Sequence, residues 1–83
     1  MTTSETLRTM AAIIERLGLS PISATTHSGL HLKVSEFRTA FAGRDVAITS
    51  HSPTFDQLAV TEDGIELFCL IDRAIPAPTS MVL

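Results

Sequence analysis

Three histidines and one cysteine are the side chains of this sequence whose types could hold a metal: His27, His31, His51 and Cys69. Imidazole nitrogens and a thiolate are the usual ligands of zinc, at about 2.0–2.3 Å each. The spacing argues against a shared ion. On a strand, His27 and His31 point the same way but stand roughly 13 Å apart, at about 3.3 Å per residue. Only a bend, for which Gly29 is placed, would bring them together. Cys69 falls on a core-facing position in the hairpin described below. The histidines are read as surface imidazoles and the cysteine as a buried thiol, with no metal and no cofactor.

Nucleophilic chemistry needs a nucleophile, a base and an orienting group within hydrogen-bond reach. Ser50-His51-Ser52 beside Asp45 or Asp56 offers these types, but no nucleophile elbow surrounds them. None of the four glycines, Gly18, Gly29, Gly43 and Gly64, lies in a Gly-rich phosphate-binding motif. A domain this small seldom has room for a catalytic pocket, so no enzyme is expected. The alternative is a minimal ligand-binding domain or enzyme using His51, Cys69 and the acidic residues.

The 83 residues make one small domain, 45% hydrophobic and 18% charged, a composition that folds rather than staying disordered. The formal charge of −3 argues against a general nucleic-acid surface, which needs clustered Lys and Arg. Residues 1–44 carry five basic side chains (Arg8, Arg16, Lys33, Arg38, Arg44) against three acidic ones. Residues 45–83 carry six acidic ones (Asp45, Asp56, Glu62, Asp63, Glu66, Asp72) against Arg73. A single cysteine allows no intramolecular disulfide. The start, Met-Thr-Thr-Ser-Glu-Thr-Leu, has neither the basic nor the apolar region of a signal peptide. Apolar runs such as Leu67–Ile71 reach five residues, far short of the roughly 20 of a membrane span. A cytoplasmic location is the expectation.

The elements follow from periodicity. Leu7, Met10, Ile14 and Leu17 recur at helical spacing, widened by Ala11 and Ile13, and predict a helix over 4–17. Thr2 and Glu5 fit a capping box, Gly18 a left-handed C-cap, and Pro21 blocks resumption. Residues 19–28 form a connection, with a short extended piece as the alternative. Leu30, Leu32 and Val34 alternate as a strand. Phe37 and Phe41, four apart, favour a short second helix at 35–42, with Ser35 as cap and Gly43 as terminator. Residues 46–51 alternate as another strand, followed by a turn at Ser52-Pro53-Thr54.

The strongest local signal is Asp63-Gly64 between two alternating runs, a type I′ hairpin turn. It pairs Glu62 with Ile65, Val60 with Leu67 and Leu58 with Cys69. One face then carries Leu58, Val60, Ile65, Leu67, Cys69 and Ile71, and the other Ala59, Thr61, Glu66, Phe68 and Leu70. Residues 74–83 read as a Pro-containing tail without element structure, loosely packed or added to a sheet edge. The expected fold is α+β: an N-terminal helix on an antiparallel sheet of about four strands, in one domain over 1–73.

Phe68 and Leu70, with Glu66, Glu62 and Asp63 around them, resemble a protein-binding patch: an apolar centre with a polar rim. The competing expectation is that the second helix, or the apolar tail with Ile75, Met81, Val82 and Leu83, covers them. The functional expectation is a small non-enzymatic adaptor or inhibitor with a protein partner, or a self-associating structural protein, with neither nucleic acid nor membrane involved. Small, acidic, motif-free α+β chains are frequent among phage and mobile-element accessory proteins, many of which bind host proteins.

Overall fold

The computed structural model describes residues 2–72 and 80–83. It is an α+β fold with elements in the order α1 (Thr3–Leu17), β1 (Ser23–Thr25), β2 (Gly29–His31), α2 (Val34–Ala40), β3 (Asp45–Ser50), β4 (Phe55–Glu62), β5 (Ile65–Asp72) and β6 (Ser80–Val82). The six strands form one sheet in the order β1-β2-β5-β4-β3-β6. The expected antiparallel sheet of about four strands is therefore larger, and it is mixed, because β2 runs parallel to β5.

The first helix begins where its cap dictates. The Thr2 hydroxyl accepts the Glu5 backbone N–H at 3.1 Å, and the Glu5 carboxylate accepts the Thr2 N–H in return, which satisfies two of the open donors of the first turn. Gly18 ends it at φ 65. The buried stripe is Met10 and Ile13, with Ile14 and Leu17 partly buried beside them. At about 100° per residue, Leu7 falls at the rim of that stripe, and it is 52% exposed.

The second helix starts one residue earlier than expected, at Val34, with Lys33 rather than Ser35 at the cap. The strand expected over 30–34 shortens to β2 as a result, although the Leu32 N–H still donates to the Phe68 carbonyl at 2.8 Å. The helix ends with Phe41 at its C-cap, two residues before Gly43. Glu36 anchors the helix to the preceding loop: its carboxylate accepts the Ser20 backbone N–H at 3.0 and 3.1 Å. Phe37 and Phe41 are buried and packed on each other, and the Arg44 guanidinium lies 5.3 Å from the Phe41 ring centre.

The hairpin has the expected register, Glu62↔Ile65, Val60↔Leu67 and Leu58↔Cys69. Its turn has positive φ at both Asp63 (50°) and Gly64 (79°), as type I′ geometry demands. At Gly29, too, the backbone calls for glycine. It has φ +95°, and a Cβ there would stand 2.1 Å from the Glu66 carbonyl oxygen.

The two outermost strands are each three residues long. Short edges present few open backbone groups to other chains. The connection after α1 holds β1, whose residues are all exposed. Ser80–Val82 of the tail form β6, paired with Asp45–Ala47, which corrects the expectation that this stretch lacks element structure. Two further bonds hold it: Leu83 N–H to the Arg44 carbonyl, and Gly43 N–H to the Leu83 carbonyl. The remainder of the tail up to residue 79, with Pro76 and Pro78, lies outside the described residues.

A single core joins Met10 and Ile13 of α1, Phe37 and Phe41 of the α2 region, and Leu30, Val46, Leu58, Val60, Ile65, Leu67 and Cys69 from one face of the sheet. Phe68 and Leu70 belong neither to it nor to the apolar residues packed against it. Both helices thus cover the same face of the sheet.

Candidate functional site

Because strand side chains alternate, the registers assign every strand residue to a face. Opposite the helices, one row across the sheet reads Ser23, His31, Phe68, Ala59, Ala47, Ser80. A second row holds Leu70, Gln57 and Thr49, and a third pairs Glu66 with Thr61. The His31 and Phe68 rings stack with centroids 4.8 Å apart and planes 10° from parallel. They form a ridge beside a floor of small side chains, Ala59 and Ala47. Gln57 donates to the Glu66 carboxylate at 3.2 Å along this surface. Phe68, Leu70 and His31 are half-buried. Phe55, at one end of the same face, is 40% exposed, and Val82 at the edge is 64% exposed.

Among the described residues, neither expected cover lies over Phe68 and Leu70, although Val82 of the tail stands at the edge of this face. Phe37 and Phe41 point into the core on the other side, and Met81, register partner of Val46, also packs against the core. Ile75 lies outside the described residues.

The five residues singled out from sequence divide between two places. Phe68, Leu70 and Glu66 share the helix-free face. Glu62 has the same strand parity as Val60 and turns to the helix side, where it pairs with Arg44 and, at 3.6 Å, with Arg16. Asp63 in the turn meets Arg16 at 3.3 Å. The acidic hairpin tip is thus tied to the helical layer, and such exposed pairs contribute about 0–1 kcal/mol each.

The residues considered for catalysis and metal binding are distributed over several parts of the fold. Ser52 and His51 shape the β3–β4 turn: the Ser52 hydroxyl accepts the Phe55 N–H at 3.2 Å, and the His51 N–H donates to the Phe55 carbonyl. Asp45 sits at the opposite end of β3 from Ser50, whereas Asp56, buried on the helix side, is the register partner of Ser50. Cys69 is fully buried, and burial pushes its thiol up to about 11, against smaller opposing effects from the Arg38 charge and a backbone hydrogen bond at Leu58. A thiol with so little thiolate near neutral pH is a poor nucleophile. Among the described residues, no three His, Cys, Asp or Glu side chains are grouped to hold a metal ion.

One grouping escaped the sequence reading. His27, Ser28 and Glu66 line an open cleft of about 230 Å³ together with Thr6, Met10 and Gly29. They come from the β1–β2 turn and from β5, a proximity that only the parallel β2–β5 pairing creates. No hydrogen bond links the three, and the Glu66 carboxylate is engaged by Gln57. No helix of the described residues is long and apolar enough to cross a membrane.

Compared with known proteins, the chain matches no family model, no curated protein and no solved structure. Function is therefore read from its own surfaces.

Proposed function

We propose that this chain is a small non-enzymatic protein-binding domain, of adaptor or inhibitor type, that docks through the helix-free face of its sheet. The supporting observation is the position of Phe68 and Leu70. They lie at the centre of a sheet face with no described helix over it, and polar Gln57 and Glu66 stand beside them. Aromatic and aliphatic anchors inside a polar rim are the general anatomy of a binding surface. The small size and absence of catalytic motifs favour an accessory protein, such as those of phages and mobile elements, acting on a host protein in the cytoplasm.

Affinity capture with the wild-type chain and with Phe68→Ser, both checked for fold by circular dichroism, tests this reading. The wild type retains a stoichiometric protein, Phe68→Ser loses it while staying folded, and Arg8→Ala on the helical layer keeps it. A partner that survives Phe68→Ser but is lost on Arg8→Ala contradicts the assignment of the face.

A further inference from the structure

The charges of the molecule are segregated by side of the sheet more sharply than along the sequence. Every described basic residue lies on the helical layer: Arg8 and Arg16 on α1, Lys33 at the cap of α2, Arg38 on α2, and Arg44 over the Phe41 ring. By strand parity the helix-free face carries Glu66, Asp72 and Asp45, and no described Lys or Arg. Among the described residues, the formally charged side chains of this face are thus all carboxylates, set among polar Gln57, Thr61 and Thr49. Glu62 and Asp63, which pair with arginines, belong to the other side.

This arrangement discriminates between occupants. A second copy docking by the same face, as a two-fold interface requires, sets carboxylates against carboxylates with no described Lys or Arg on the face to meet them. Like-charge juxtaposition suppresses such pairing. A partner with Lys or Arg around an apolar anchor meets both features at once, burying the anchor beside the His31–Phe68 ridge and setting cations against Glu66, Asp72 and Asp45. Resting on the reading of this face as a docking surface, we infer that its partner is a protein segment in which basic residues flank an apolar anchor, and not another copy of this chain.

Three synthetic peptides with identical Leu and Phe anchors and Lys, Ser or Glu flanks test the inference. Each is titrated into the isotopically labelled full chain and followed by backbone amide shifts. The Lys-flanked peptide moves the amides of His31, Ala59 and Glu66–Leu70, binds about two- to fivefold tighter than the Ser-flanked one for each rim pair formed, and loses that advantage as salt rises. The Glu-flanked peptide binds most weakly. Equal binding of the three at this face overturns the basic-partner inference while the docking surface stands. Shifts confined to the helical layer, or none with any peptide, overturn the docking surface itself. Light scattering that shows a dimer broken by Phe68→Ser assigns the face to a second copy.

Discussion

The two faces of this sheet are built from adjacent residues of the same strands and have opposite fates. On β5, Leu67 and Cys69 are fully buried beneath the helices, whereas Phe68 and Leu70, their immediate neighbours, keep part of their surface open. The covered face accepts side chains from both helices, and beside it Glu62 and Asp63 pair with Arg16 and Arg44. The other holds comparable apolar side chains, no described helix and no described basic residue. An apolar side chain is thus committed to stability or left available for recognition by strand parity alone.

Substitutions that break this contrast have graded effects. The largest comes where the covered face is tied together by backbone approach. Gly29→Ala drives a Cβ into the Glu66 carbonyl at a positive φ and destabilises by about 3 kcal/mol or more, which chemical denaturation measures. Next is the core itself: Leu67→Ala removes a fully buried side chain and costs about 2–5 kcal/mol, whereas Leu70→Ala on the open face costs about 1 kcal/mol in the same assay.

A third prediction concerns Cys69. Its thiol is raised in the folded state from 9.0 to about 11, so the unfolded chain loses this proton first. The contribution is complete below pH 9 and is lost as pH rises from 9 to about 11, by at most about 2–3 kcal/mol. Unfolding curves across that range fall less steeply for Cys69→Ala, and a thiol reagent labels native protein far more slowly than denatured protein. The smallest effect belongs to the hairpin tip. Arg16→Gln removes its pairs with Glu62 and Asp63 and costs about 1 kcal/mol or less, diminishing with added salt.

What was legible in the sequence is what local chemistry determines. Thr2, Glu5 and Gly18 mark the ends of α1, and Asp63-Gly64 sets the register from which the buried residues of β4 and β5 follow. The two three-residue edge strands were legible only as alternatives, a short extended piece and an addition to a sheet edge, because β1 and β6 owe their form to the strands they join rather than to their own pattern. The parallel β2–β5 pair was hidden for the same reason: the glycine it requires reads in sequence only as a bend. Of the candidate patch, Phe68, Leu70 and Glu66 were legible by alternation. The position of Glu62 was also readable, since it shares the parity of Val60, but its partners Arg16 and Arg44 are distant in sequence. The segregation of charge needed the fold, because it depends on which face receives both helices.

The most direct test of the account compares two neighbours. Leu67→Ser and Phe68→Ser place the same hydroxyl one residue apart on opposite faces, and thermal unfolding by circular dichroism reads the outcome. The account predicts that Leu67→Ser is largely unfolded at room temperature, from cavity and buried-hydroxyl costs together. Phe68→Ser unfolds cooperatively with its midpoint lowered by roughly 5–15 °C, the equivalent of about 1–2 kcal/mol in a domain of this size. If Phe68→Ser unfolds the chain as completely as Leu67→Ser, the helix-free face is a second core and not a surface held open for a partner.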